Sequence, residues 1–167
     1  LLGSALVPLL KINRLAYHIL VIALAVSNLL FLGFTHPTEH FVRWGWFSFL
    51  LDHYSLLFAM LVNAAWAITT VYSYGFTKYN FKAKNPEFYF WLHLVLAVVL
   101  CNGFAGNLVT LFTFYTLGIP LSIPLIAIRA RAESIKASRT YLLNTLLPAL
   151  FMFLPAVLFI EFKLGHA

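Results

Sequence analysis

Long stretches without Asp, Glu, Lys or Arg make up most of this chain, and short polar connections separate them. A helix needs about 20 apolar residues to cross the hydrocarbon core of a membrane. Three charge-free stretches have that length, and a fourth is long enough for two helices if it is divided where Asn and Gly at residues 102–107 favour a turn. The pattern predicts an all-α integral membrane protein of about six spans, at residues 1–10, 15–36, 53–75, 88–103, 107–128 and 140–160.

The first of these stretches is only half a span and has no initiating Met, so we expect the chain to begin partway through its first helix. A signal peptide is the alternative, but no basic segment precedes the apolar run and no clear cleavage site follows it. We expect residues 1–167 to form a single transmembrane helical domain.

The basic residues alternate between the connections. The first, third and fifth connections hold nine of the 11 Lys and Arg residues: Lys11, Arg14, Lys78, Lys82, Lys84, Arg129, Arg131, Lys136 and Arg139. Only Arg43 and Lys163 fall on the other side. Because cytoplasmic connections are enriched in Lys and Arg, this alternation predicts that both termini face out. Glu133, Lys136 and Arg139 then mark the cytoplasmic boundary after the fifth span.

Composition agrees with burial in lipid or among partner helices. The chain is 62% hydrophobic and 10% charged, whereas about a quarter of the residues of a soluble domain are charged. The single cysteine, Cys101, excludes an intrachain disulfide and a cysteine-based metal site. Nothing in the sequence resembles a nucleophile–base pair, a phosphate-binding glycine loop or a metal cluster. We therefore expect no cofactor, no metal, no nucleic-acid partner and no catalytic residue.

Few polar side chains lie at membrane depth. His93, about one and a half turns into the fourth predicted span, is the best titratable candidate, because imidazole changes charge near neutral pH and can relay a proton. The plainer interpretation is an imidazole hydrogen-bonded to a neighbouring helix. Asn107, like the other span asparagines, is better interpreted as an interhelical hydrogen-bonding group than as a ligand.

Two passages resemble a known family. The first is FLLDHYSLLF at residues 49–58, continuing to VYSYGF at 71–76. The second runs from residue 88 to 142 and includes GNLVTLF, FYTL, LSIPLI and AESIKASRTYL. They are similar to the N-terminal helices of proton-conducting antiporter-like subunits, the family that includes the large membrane-arm subunits of respiratory complex I, Mrp-type cation/proton antiporters and membrane-bound hydrogenase subunits. The similarity covers most of the chain.

The departures from the family limit what the resemblance implies. The family's fifth helix carries a glutamate thought to transfer protons, and Thr116 stands at the matching position. A hydroxyl cannot store charge as a carboxylate does, so exchange at Thr116 would need water or another group. The lysines of the family's later helices have no counterpart here. We therefore expect that the chain forms no complete proton channel by itself.

The resemblance implies an antiporter-like subunit, or its N-terminal or degenerate form, within a multi-subunit ion-translocating complex. Its expected partners are other polytopic subunits and the lipid bilayer, and H⁺ or Na⁺ is the expected ion. Thr116, His93 and Asn107 are the candidate pathway residues. The alternatives are a free-standing small transporter or channel of unknown substrate, and a membrane enzyme. A bacterial or archaeal inner membrane is the expected location, and a mitochondrial inner membrane would give the same pattern.

Overall fold

The structure, a computed structural model, describes residues 14–34, 40–80, 85–128 and 132–164. It is mostly helical, as predicted, with five helices in the described residues. The predicted first span, at residues 1–10, lies outside them. The elements are α1 (Arg14–Phe34), β1 (His40–Trp44), β2 (Phe47–Leu51), α2 (His53–Asn80), α3 (Asn85–Gly103), α4 (Leu108–Ala127) and α5, which comprises Ala132–Pro148, a π-helical turn at Ala149–Phe153 and Leu154–Leu164.

Three of the helices are long and apolar enough to cross a membrane: α2, α4 and α5. The apolar parts of α1 and α3, Leu15–Phe31 and Glu87–Gly103, are slightly shorter. These lengths are compatible with an integral membrane protein. The count of about six spans and the N-out, C-out orientation stay predictions.

The all-α prediction is wrong at residues 40–51, where β1 and β2 form an antiparallel hairpin. Gly45 adopts a φ of 61° in the two-residue loop, a left-handed conformation that glycine adopts without steric cost and that tight hairpins require. The strands are rich in aromatic and aliphatic side chains, and Trp44 pairs with Phe47 beside the loop. Such residues favour paired strands when a turn brings them together.

The hairpin is attached to the α3–α4 loop by backbone pairing. Leu50 N donates to Phe104 O at 2.9 Å, and Gly106 N donates to Ser48 O at 2.8 Å. The Thr110 hydroxyl oxygen accepts from Ser48 N at 2.9 Å. The loop therefore acts as a short third strand at the edge of β2. We call this region, residues 40–51 with 104–110, the hairpin–loop junction.

The helices pack mainly as consecutive antiparallel neighbours, α1 on α2, α3 on α4 and α4 on α5. The helix α5 starts at Ala132 rather than at residue 140. The charged residues before residue 140 interrupt the apolar pattern that predicts the span, but they are still good helix formers. Its π-helical turn follows Pro148 directly, where the missing proline N–H already interrupts the regular hydrogen bonding.

Much apolar surface faces outward. Only 11% of the most apolar 18-residue window is buried in α4, and the same is true of α5. Phe151 and Met152 in the π-helical turn are 74% and 76% exposed. An exposed apolar surface of this kind suits lipid or partner helices.

Candidate functional site: a buried histidine–tyrosine cluster

Thr116 lies on α4, and its hydroxyl group bonds to its own helix. The Oγ1 atom donates to Phe112 O at 2.7 Å and lies 3.1 Å from Thr113 O. Its proton is therefore committed to backbone carbonyls, as is common for threonine in apolar helices. On neighbouring α3, Val98 lies beside Gly118, which places Thr116 about 10 Å along the helix axis from the level of His93.

Asn107 has a structural role at the hairpin–loop junction. It is the N-cap residue of α4, and its side-chain oxygen accepts from Thr110 N at 2.8 Å. Its amide nitrogen donates to Trp46 O at 3.0 Å. These bonds satisfy a helix terminus and fix the hairpin to it. The structure therefore does not bring Asn107 together with Thr116 or His93.

The three residues predicted to mark the cytoplasmic boundary lie in the first two turns of α5. Glu133, Lys136 and Arg139 are all exposed. Their exposure is compatible with a boundary position.

The polar centre of the structure is Tyr89, which lies between Phe88 and Phe90 near the start of α3. It is fully buried, and its hydroxyl group meets side chains from two other helices. The distances from Tyr89 Oη are 2.5 Å to His18 Nε2 on α1, 3.0 Å to Ser73 Oγ and 3.1 Å to Thr77 Oγ1 on α2. We call these four residues the Tyr89 cluster.

The protons of the Tyr89 cluster can be counted. Ser73 Oγ donates to Thr70 O at 2.8 Å, and Thr77 Oγ1 donates to Ser73 O at 2.7 Å. Both hydroxyl oxygens are thus acceptors toward Tyr89, whose single proton can serve only one acceptor at a time. If His18 carries a proton on Nε2, Tyr89 Oη accepts it and donates to α2. If Nε2 is bare, the Tyr89 proton points to it instead. The cluster therefore has two hydrogen-bonding states, which differ in whether His18 Nε2 carries a proton.

His93 lies one turn further along α3 and is 5% exposed. Its Nδ1 atom is 2.5 Å from Tyr89 O. Its ring stands edge-on to Trp66 with centroids 4.9 Å apart, and to Tyr17 at 6.3 Å. This hydrogen bond is therefore within α3 and not to a neighbouring helix. Its other nitrogen, Nε2, is buried without a hydrogen-bond partner among the described residues.

His93 can be identified from the sequence, but the bond between His18 and Tyr89 cannot. His18 and Tyr89 are 71 residues apart, so no local motif joins them. One signal in the sequence is the spacing of polar residues. Ser73 and Thr77 are four residues apart, as are Tyr89 and His93, so each pair lies on one face of a helix. Tyr89 also belongs to the aromatic run FYFW at residues 88–91, a pattern that is typical of the membrane interface.

Within the described ranges, no group of three or more His, Cys, Asp or Glu side chains could hold a metal ion. What the arrangement offers is a neutral, hydrogen-bonded route for a proton among hydroxyl and imidazole groups.

No protein-family model matches the chain. The search of curated proteins also finds no match.

Proposed function

We propose that this chain is an antiporter-like subunit of a multi-subunit ion-translocating membrane complex. In this proposal the bundle of α1, α2 and α3 contributes a proton-exchange site at His18 and Tyr89. The observation that carries the proposal is the Tyr89 cluster itself, a titratable side chain bonded at 2.5 Å to a buried hydroxyl group between apolar helices. Intramembrane ionisable residues are expensive to bury and commonly serve ion or proton pathways.

The location of the Tyr89 cluster supports a role at a pathway entrance. His18 lies four residues from the start of α1, Thr77 three residues from the end of α2, and Tyr89 four residues from the start of α3. All three helix ends adjoin the connections that are rich in Lys and Arg. The cluster would therefore exchange protons with the cytoplasmic side if the positive-inside orientation is correct.

The exposed apolar faces of α4 and α5 support the assembly part of the proposal. A free-standing carrier of this size would enclose its pathway within its own helices, whereas few residues of α4 and α5 are buried. Those faces leave a large area for other polytopic subunits. The expected membrane is still a bacterial or archaeal inner membrane, with H⁺ or Na⁺ as the ion.

The proposal can be tested by proton flux in vesicles that contain the assembled complex. Tyr89→Phe keeps the ring and removes the hydroxyl group that connects His18 to α2. We expect the rate of proton uptake to fall about tenfold, which corresponds to the loss of about one buried hydrogen bond in the rate-limiting step. Tyr141→Phe is the matched control, because Tyr141 is exposed on α5.

A second variant separates this site from the family's position on α4. Thr116→Val keeps the size of the side chain and removes only hydroxyl bonds to the helix's own carbonyls. We expect it to leave flux unchanged. An unaltered rate in Tyr89→Phe together with a lower rate in Thr116→Val would reject the Tyr89 cluster as the exchange site.

A further inference from the structure

A cavity of about 540 Å³ lies between α1, α2 and α3, deeper in the bundle than the Tyr89 cluster. Its apolar walls are one face of α1 and one face of α3, formed at the three- and four-residue spacing of a helix. These residues are Val21, Leu24, Ala25, Leu96, Ala97 and Leu100. The two helices touch at Tyr17, Val21 and Tyr89, and the cavity occupies the space beyond that contact.

The floor of the cavity, at His93, is polar. His93 lines the cavity and is 95% buried, and its Nε2 atom has no hydrogen-bond partner in the described part of the chain. Asn63, from α2, also lines the cavity, and its side-chain amide nitrogen donates one hydrogen bond to Ala59 O at 2.8 Å. An unsatisfied buried polar atom costs about 1–3 kcal/mol, so such atoms in proteins call for an explanation.

The hydrogen bonding of His93 defines what can bind there. Its Nδ1 atom lies 2.5 Å from a carbonyl oxygen, which can only accept, so Nδ1 carries the proton. The neutral ring then presents the bare lone pair of Nε2. A ligand at this atom must donate a hydrogen bond.

The volume and the walls decide between kinds of occupant. Apolar walls disfavour a file of water. A volume of 540 Å³ with few polar groups is typical of sites for small organic ligands. Ser27 and Asn28 also line the cavity and are exposed, so the cavity opens to the outer surface of the bundle.

We infer that this cavity binds a small molecule dissolved in the membrane, with an apolar body and a hydroxyl group that donates to His93 Nε2. The body lies against the apolar faces of α1 and α3, and the hydroxyl group reaches the floor. This binding does not depend on proton translocation, and its test has a separate readout.

The probe is 4-octylphenol carrying a photoreactive diazirine on its alkyl chain, applied to membranes that contain the assembled protein. After illumination, labelled peptides are identified by mass spectrometry. We expect labels on the cavity faces of α1 and α3. The methyl ether of the same probe lacks the donor, and we expect it to label about tenfold less.

Three variants make the result specific. His93→Phe keeps an aromatic ring against Trp66 and removes the acceptor, so it should lower labelling by the phenol to the level of the ether. Ala97→Phe fills the cavity and should abolish labelling there. Ala65→Phe adds the same bulk to an exposed position of α2 and should change nothing.

Equal labelling by the phenol and the ether would overturn the inference, because it would mean that partition into lipid, and not His93, places the probe. Labelling that persists in Ala97→Phe would overturn it as well. Labelling of the isolated chain but not of the assembled complex would show that a partner's side chains occupy the cavity, and would also reject the proposal.

Discussion

At the scale of single residues, Tyr89 is the side chain that connects the first three helices. Its ring packs against Tyr17, with centroids 5.5 Å apart, and its hydroxyl group bonds to α1 and α2. Because the cluster is buried, the loss of these hydrogen bonds cannot be compensated fully by water.

We expect Tyr89→Phe to lower the free energy of unfolding by about 1–3 kcal/mol, since it removes the partner of several buried polar atoms. Tyr141→Phe should change it by less than about 0.5 kcal/mol, as is usual for exposed positions. Denaturant titration in a mild detergent measures both. Equal unfolding midpoints for the two variants would contradict the importance assigned to the Tyr89 hydroxyl group.

Asp52, which precedes α2 directly, gives the molecule a pH-dependent helix cap. Its Oδ1 atom accepts from Ser55 N at 2.7 Å. This backbone N–H, followed by the Ser55 hydroxyl group, holds the pKa of Asp52 below its ordinary value of 3.8. A carboxyl group with a lowered folded-state pKa stabilises the fold fully above its unfolded pKa, and the stabilisation is lost as the pH falls through the folded value.

We therefore expect the wild-type protein to lose more stability than Asp52→Asn when the pH is lowered from 7 to 3. Asparagine keeps the cap and does not titrate, and all other groups are common to both proteins. Thermal unfolding in detergent at the two pH values gives the comparison. Identical losses in both proteins would mean that the Asp52 cap is not pH-dependent.

The residues of the site were only partly predictable from sequence. His93 was predictable as a candidate because an imidazole is rare deep in an apolar stretch. The bonds of Tyr89 and His18 arise from packing between α1 and α3, which no local pattern encodes. Thr116 is a candidate through the resemblance, whereas Asn107 is expected to be an interhelical hydrogen-bonding group. The structure gives Thr116 a partner in its own helix, and it gives Asn107 partners in the hairpin and in its own helix.

At the scale of elements, the hairpin–loop junction holds the end of the bundle together. A Cβ atom on Gly106 would lie 3.2 Å from Ser48 Oγ and 3.3 Å from Leu50 N. These contacts are tighter than ordinary van der Waals distances, and backbone cannot move away easily. Glycine therefore permits the close pairing of the loop with β2.

We expect Gly106→Ala to destabilise the protein by about 1–3 kcal/mol through this crowding. Gly75→Ala is the matched control, because nothing lies within 4 Å of a Cβ atom there. In the interior of α2 it should be neutral or stabilise by about 0.5–1 kcal/mol. The two variants are compared by denaturant unfolding, and a Gly106→Ala protein as stable as Gly75→Ala would show that the junction is loose.

The helices were predictable because charge-free length is a direct consequence of membrane thickness. The predicted spans at residues 53–75 and 107–128 correspond closely to α2 and α4. The hairpin was not predicted, since its aromatic residues also suit an interfacial belt. What distinguishes the two structures is the pairing with the α3–α4 loop, a contact between segments more than 50 residues apart.

At the scale of the whole molecule, the contacts place the sparsely charged connections together. The hairpin and the α3–α4 loop form one junction, and Glu161 near the end of α5 lines a cavity with Arg43 and Trp46 of the hairpin region. From the distribution of Lys and Arg, we expect these connections to lie on the outer side of the membrane.

We expect Arg43→Cys and Lys136→Cys to be labelled from opposite sides of the membrane, each in a Cys101→Ala background. An impermeant maleimide applied to intact cells should label residue 43 and not residue 136, and permeabilisation should make residue 136 reactive. Labelling of both positions in intact cells would contradict the proposed orientation.

Whether the chain is one subunit of a larger membrane complex can be measured from the composition of the particle that is extracted in mild detergent. We expect co-purification with several other polytopic subunits, in a fixed ratio that survives size-exclusion chromatography. A monomer or a simple homo-oligomer would contradict it and would favour a free-standing small transporter.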